Sequence, residues 1–417
     1  MEEVYCVIDL KSFYASCECA ARGLDIFSTP LVVADPDRTS STIVMSATPY
    51  LKKEYGIPNV CRVRDLPDVP ELIFAKPRMA YYIEMSAKVV SIFLDFVDEE
   101  DLHVYSIDES FLRLTPYLKL YKTDAIGLVS MIQNRIKEEL GLTATAGIGP
   151  NMFLAKTCLD NEGKKRPPYH AYWHYEDVPT KLWKIRPITR VWGISTGTER
   201  HLARLGIKSL EALAKADPAL LQKEFGIMGK QLRDLANGID ETDIRVKYVP
   251  NETSLSQGQT LYRDYDAKGA RLVLRELVDD LGFRLRAHHC RSKLVSVGVV
   301  YAAESGQSGF SRQSALDIPT DDTAVLYKAC LRLFDRCVES APIRGLYVSF
   351  GKLQPWAQAE QLSLFADPEE TKKNRKLALA MDLIGAKYGR NTVLRASSLT
   401  EDSTTRERHT MIGGHHA

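Results

Sequence analysis

The stretch from Leu255 to Gly351 restricts the fold more than any other part of the chain, because six segments of alternating periodicity follow one another in it. "LSQGQTLY" alternates as a strand, and "GARLVLRELVDDLGFRLRAH" repeats its apolar residues at helical spacing. "KLVSVGVVYA" and "GFSRQSALDI" alternate again, "TAVLYKACLRLFDRCVE" is helical, and "IRGLYVSFG" closes the run as a strand. A β-α-β-β-α-β order of this kind lays helices on one face of a single sheet, the split arrangement of ferredoxin-like units. A second sheet of that type, covered on one face, is expected nearer the N-terminus. There "VYCVIDL" (4–10) is a strand running into the helical "KSFYASCECAA", and "YYIEMSAKVVSIFLD" (81–95) and "DAIGLVSMIQNRIKEELG" (124–141) are helical. "TATAGIG" (143–149) is a strand leading to a helix near "NMFLAK".

"KRPPYH" (165–170) interrupts this pattern, residues 175–240 read as short helices with glycine-containing turns, and "VPNETS" (249–254) is a linker. From Leu353 onward come "QLSLF", a helix near 371–387 and a polar tail ending "GGHHA". A chain of 417 residues exceeds one core, so roughly three or four domains are expected. Lys+Arg 55 against Asp+Glu 54 excludes a uniformly basic nucleic-acid binder but leaves room for local patches. The eight cysteines have no zinc-finger spacing and read as reduced thiols. No apolar run nears the ~18 residues needed to span a bilayer. The expectation is a soluble, cytoplasmic protein with no membrane partner.

"VYSIDESFL" (104–112) sets Asp108 beside Glu109 in a run that otherwise reads as a strand. Alone, this pair fits a hairpin turn as well as a metal site. Asp9, however, ends the first strand, and in a ferredoxin-like sheet the first and third strands are central neighbours. Three carboxylates therefore converge at one end of the sheet. Hard oxygen ligands suit Mg²⁺, and two such ions about 3.5–4 Å apart stabilise an in-line phosphoryl displacement.

"DLKSFYASCE" (9–18), "YSIDESFL" (105–112), "GIGPNMFLAK" (147–156) and "VWGISTGTERHLARLGI" (191–207) resemble, in order and spacing, the Y-family translesion DNA polymerases. "QLSLF" and "LAMDLIGAKYGRNTV" are similar to the UmuC-type (ImpB/MucB/SamB) branch, and the resemblance spans nearly all of residues 1–395. It implies an α+β multidomain, right-hand polymerase: a ferredoxin-like palm (1–15 and 77–166), small fingers (16–76), a helix-hairpin-helix thumb (167–244), a β-α-β-β-α-β little finger (245–352) and a C-terminal tail (353–417). The implied activity is DNA-directed synthesis past damaged bases, with dNTP and primer-template DNA as substrates.

By that resemblance Asp9, Asp108 and Glu109 match the catalytic metal-binding acids, and Leu10 lends its carbonyl to the second of two Mg²⁺ ions. Tyr14 matches the steric gate that excludes a ribose hydroxyl, with Phe13 backing the sugar. Tyr50, Lys53 and Lys156 match triphosphate contacts. Where many relatives carry a phosphate-binding Thr three residues before Tyr50, this chain has Ala47. Arg likewise gives way to Lys53, which loses bidentate phosphate geometry, so a weaker triphosphate grip is expected. The short fingers, small or β-branched around "STIVMSATP", fit loose checking of base-pair shape.

Residues 181–210 hold seven Lys/Arg against one acid. Gly193 and Gly197 would bring backbone amides to phosphates there, beside Arg200, Arg204 and Lys208. "RLRAHHCRSK" (284–293) adds Arg284, Arg286, Arg291 and Lys293. Gln361, Leu364 and Phe365 have the spacing of bacterial peptides that dock on the beta sliding clamp, a tether that raises effective concentration at the primer end. Relatives in this branch can also depend on a UmuD-like subunit and on RecA. Two rivals remain: a DNA-binding repair scaffold with little catalysis, and a metal-dependent nuclease, since three acids and two ions serve hydrolysis equally well.

Overall fold

The computed structural model describes residues 3–35, 37, 40–250, 252–356 and 368–416. The chain divides into two compact units, Met1–Lys247 and Tyr248–His416.

The first unit is built on a five-stranded sheet of β1 (Tyr5–Leu10), β2 (Leu102–Val104), β3 (Glu109–Arg113), β4 (Ala144–Gly149) and β5 (His170–Tyr172). Their order is β5-β4-β1-β3-β2, with only the edge pair β5–β4 parallel. Without β5 this is the ferredoxin-like arrangement, with β1 between β3 and β4. Central position explains why "YCVIDL" is apolar throughout: residues of both parities are covered. Tyr5, Val7 and Phe111 pack against Met152 and Ala155 of helix α4 (Met152–Cys158). The opposite parity, Cys6, Ile8 and Leu112, is also at most 1% exposed. Helices α2 (Met79–Leu94) and α3 (Ala125–Leu140) meet β2 and β4 respectively. The sheet is therefore covered on both faces, not on one as the sequence suggested.

The Gly-Ile-Gly of β4 allows this. A Cβ on Gly147 would lie 2.2 Å from the Ala155 carbonyl oxygen, and one on Gly149 would lie 2.7 Å from the Ala155 nitrogen. Both glycines face the helix, which comes down directly on the strand.

Leu31–Val33, Ser46–Ala47 and Ile73–Ala75 form a small three-stranded sheet with Leu31–Val33 in the middle, and the helix Pro49–Glu54 packs Leu51 into its core. Residues 177–236 are short helices gathered around Leu182, Leu202, Leu213 and Leu221.

In the second unit β6 (Leu255–Tyr265), helix α5 (Ala267–Ala287), β7 (Cys290–Tyr301), β8 (Phe310–Thr320), α6 (Thr323–Cys337) and β9 (Ile343–Gly351) match the sequence reading closely. Asp266 and Asp322 cap the two helices by accepting from Gly269 N and Ala324 N at 2.7 Å each. Spatial order is β6-β9-β7-β8. The same element order as in the first unit thus gives a different sheet: there β3 separates the first two strands, here the last strand does. Val295, Val297 and Val299 face the helices, while Ser256, Gly258 and Thr260 are exposed.

The expected polar tail is not free. Helix α7 (Pro368–Tyr388), two short turns (Ala396–Leu399 and Thr405–Arg408) and a hairpin pairing Met411–Ile412 with His415–His416 belong to the second unit. Arg390, Arg395 and Arg408 of this segment bond to Asp279 and Asp280 of α5. All eight cysteines are free thiols. Among the described residues no helix is long and apolar enough to cross a membrane.

Candidate active site

Asp9 lies directly opposite Glu109 in the β1–β3 register, and directly opposed residues project to the same face of a sheet. Asp108 precedes β3 in the bend 106–108, where its carboxylate accepts from Ser106 Oγ at 2.7 Å and its carbonyl from Leu10 N at 2.9 Å. Of the acid pair, Asp108 belongs to the bend and Glu109 begins the strand. Asp9, Leu10 and Asp108 line one cleft of about 930 Å³ with Tyr14, Tyr50 and Lys52.

Two lysines sit on these acids. Lys156 Nζ donates to Glu109 Oε2 at 2.8 Å and to Asp160 at 3.2 Å, and Lys164 Nζ lies 3.0 Å from both Asp9 Oδ2 and Asp160 Oδ1. Burial raises the Asp9 carboxyl above its ordinary range; Lys164 opposes the shift and Asp108 adds to it. Burial likewise raises Glu109 against the pull of Lys156. For Lys164, burial works against the charge, but Asp9 and Asp160 outweigh it and hold the ammonium well above the usual lysine range.

The Lys156 expectation needs correction. Only 7% exposed, Lys156 is spent on Glu109 and Asp160 rather than offered to a phosphate, and the glycines before it serve helix packing. Lys164 is the residue the sequence reading missed. Its one legible signal was its spacing four residues after Asp160, the neighbour distance on a helical turn. Lys52 and Lys11 were missed too. Lys52 Nζ donates to Ser12 Oγ at 3.1 Å, and Lys11 Nζ donates to the Lys164 carbonyl at 2.9 Å over the Tyr169 ring. Burial lowers both ammonium groups, and each repels other lysines of the cleft. Lys53 also borders the cleft but points outward to Glu54 at 2.9 Å. Phe13 is buried behind Tyr14, with ring centroids 5.6 Å apart.

The donor set fits divalent cations. It consists of hard oxygens, and buried Glu109 Oε1 has no hydrogen-bond partner, an open valence that a cation would fill. Among the described residues no three His, Cys, Asp or Glu side chains form a ready-made shell; the lysine ammonium groups hold part of the negative charge instead.

In the helical region Gly193 adopts φ 89° in the turn before the helix Thr196–Arg204, and Gly197 sits in that helix's first turn, capped by Ser195 accepting from Thr198 N at 3.2 Å. Arg200, Arg204 and Lys208 are exposed. A second hairpin went unread: Gly226 at φ 59° precedes Ile227–Ala236, and a Cβ on Gly229 would meet the Leu221 carbonyl at 2.2 Å. In the second unit Lys293 is exposed, Arg291 half-buried, and Arg284 donates to the Ser256 carbonyl at 3.0 Å. Arg286 contradicts its expected role. It is buried, clasping both carboxylate oxygens of Asp382 at 2.6 and 3.0 Å and donating to Thr323 Oγ1 at 2.9 Å, so its guanidinium is turned inward on the protein's own acceptors. Gln361, Leu364 and Phe365 lie outside the described residues.

Residues 8–160 match the impB/mucB/samB family and residues 252–364 match its C-terminal domain. Over 99% of its length the chain is 38% identical to "Putative UV-damage repair protein UvrX" of Bacillus subtilis (strain 168), covering 97% of that protein. It is 34% identical, over 100% of its length and 99% of the relative's, to "DNA polymerase IV 2" of the same organism. Among solved structures, a "Y-family DNA polymerase chimera Dbh-Dpo4(243-245)-Dbh" superposes with a TM-score of 0.68 at 20% identity, covering 85% of this chain and 100% of that one, a likeness of fold.

Proposed function

This chain belongs to the impB/mucB/samB family, and from that premise we propose that it is a translesion DNA polymerase, adding a deoxynucleotide from dNTP to a primer 3′-OH. The observation that carries the reading is the opposition of Asp9 to Glu109 across two central strands, with Asp108 in the adjoining bend and one Glu109 oxygen unpartnered. Scaffold function alone gives no reason to bury carboxylates with an open valence, which costs stability.

Asp9, Asp108, Glu109 and the Leu10 carbonyl would hold two Mg²⁺ ions. Bound there, the ions supply Lewis-acid stabilisation of charge on the reacting phosphate. The chain's own residues do the rest. Lys11, Lys52 and Lys164 give the cleft an inner wall of ammonium groups for a triphosphate, with Tyr50 and Lys53 at its edge. Tyr14 stands under the sugar, so a 2′-hydroxyl meets its ring. A nuclease has no use for that ring or for a triphosphate wall.

In this reading residues 1–15 and 77–166 are the palm, 16–76 the fingers, 167–244 the thumb and 245–352 the little finger. Gly193, Gly197 and the Gly226–Gly229 turn bring backbone amides to DNA phosphates. Arg200, Arg204, Lys208, Arg284, Arg291 and Lys293 supply sequence-blind charge, because the template changes at every step. Within residues 353–417, Gln361, Leu364 and Phe365 dock on the beta sliding clamp. The site of action is the cytoplasm.

Primer extension on damaged and intact templates with Mg²⁺ tests the reading. The double change Asp108→Ala/Glu109→Ala should abolish extension while DNA binding persists. Full extension by that variant removes the assignment, and degradation of end-labelled DNA without nucleotides favours the nuclease.

A further inference from the structure

Behind Tyr14 is a buried assembly that the cleft chemistry does not use. Glu18 follows Tyr14 by one turn of α1 (Phe13–Ala21) and is 0% exposed. Its Oε1 accepts from Tyr82 Oη at 2.8 Å and from Arg78 Nε at 2.9 Å. Its Oε2 accepts from Arg78 Nη2 at 3.0 Å and from Arg22. Burial opposes the charge, but these donors outweigh it and hold the carboxyl below its ordinary range. Every lone-pair direction is occupied, in contrast to Glu109. Tyr82, on α2, is itself 0% exposed, and its ring centroid lies 4.8 Å from that of Tyr14 at 31°. Among the described residues no hydrogen bond fixes the Tyr14 phenol, so packing alone sets where the Tyr14 ring stands.

We propose that Tyr82, locked by Glu18, is a positioning residue for sugar selection: it is the wall that holds the Tyr14 ring forward into the cleft. The inference rests on the reading of Tyr14 as the sugar gate. A gate works only if it cannot retreat. Repulsion from a 2′-hydroxyl would push Tyr14 back, and a neighbouring ring anchored at its far end by a hydrogen bond to a buried carboxylate resists that push. Tyr82 touches no substrate in this scheme and acts only through Tyr14.

The test uses the full-length protein and measures kcat/KM for dNTP and rNTP incorporation opposite the same template base. Tyr14→Ala is the control. Tyr82→Leu removes the wall and should lower discrimination against rNTP about tenfold, the effect of a lost apolar contact in a pocket, with dNTP incorporation within about threefold of wild type. Tyr82→Phe keeps the ring and loses the tether, so a smaller drop of about threefold is expected; Glu18→Gln should resemble it. A structural role alone would lower both substrates together and leave their ratio untouched. Wild-type discrimination in Tyr82→Leu overturns the inference, and if that variant does not fold, wild-type discrimination in folded Tyr82→Phe does so equally. These outcomes leave the gate standing wherever Tyr14→Ala admits rNTP. Unchanged discrimination in Tyr14→Ala itself overturns the gate and the inference with it.

Discussion

Two clusters of buried acids, one in each unit, are built from the same residue types and end in opposite states. In the second unit Asp280 of α5 is surrounded. Arg390 donates to it at 2.6 Å, Arg408 at 2.9 Å and the His409 ring lies at 2.8 Å. Burial disfavours its charge, yet His409, Arg408 and Arg390 together hold its carboxyl below the ordinary range. Glu276, one turn earlier, accepts from Ser403 Oγ at 2.5 Å and from Thr404 N at 3.1 Å. In the first unit burial wins: Asp9 and Glu109 are raised, and one Glu109 oxygen has nothing to accept from. A saturated acid is a fastening. An unsaturated one is a site held ready for charge the protein does not supply.

Parallel substitutions probe this contrast most strongly. Asp9→Asn should cut primer extension on the order of a thousandfold, several kcal/mol of charge stabilisation, while the first unit melts no lower than wild type. Asp280→Asn should do the reverse, retaining chemistry but leaving Arg390 and Arg408 uncompensated at a cost of about 3–5 kcal/mol. Hydrogen exchange in α5 and residues 405–409 reads that loss. Equal stability losses in the two variants would erase the distinction.

Divalent metal offers a sharper comparison with a smaller effect. Saturating Mg²⁺ should stabilise the first unit by about 2–3 kcal/mol, leave the second unit unmoved, and lose its effect in Asp9→Asn. Calorimetric melting with and without the ion measures all three.

Acid should move the clusters oppositely, by the least. Asp280 has a lowered folded pKa, so its stabilisation is present above the ordinary carboxylate pKa and disappears as pH falls through the folded value, below about pH 4. Asp9 and Glu109, with raised folded values, bind protons more readily folded than unfolded, so their cost is relieved earlier, as pH falls from the raised folded values to the ordinary carboxylate pKa. Hydrogen exchange across a pH series should show the second unit opening first.

Much of this was legible in the sequence because strands have a two-residue period. Asp9 stands near the end of one recognisable strand and Glu109 at the start of another, and with β1 and β3 as central neighbours the two acids come to the same end of the sheet. Lys164 was legible only through its spacing from Asp160, because five residues of wide π-type turn (Leu159–Gly163) separate it from α4 and alter the register that carries its side chain back to Asp9. Arg286 misled for another reason. It stands in a basic run, and its partner Asp382 is 96 positions away, a distance at which composition carries no pairing information. The docking of residues 390–409 on α5 escaped for the same reason, since a polar segment looks identical whether its charges meet water or one another.

Gly147 and Gly149 act as a spacer gauge of zero thickness. Because the strand is bare there, α4 rests on backbone, and the height of Lys156 above the sheet is set by peptide planes rather than by compressible side chains. Even one methyl group at position 147 would lift the helix and draw its ammonium off Glu109, shifting the charge balance of the cleft without altering any residue that lines it.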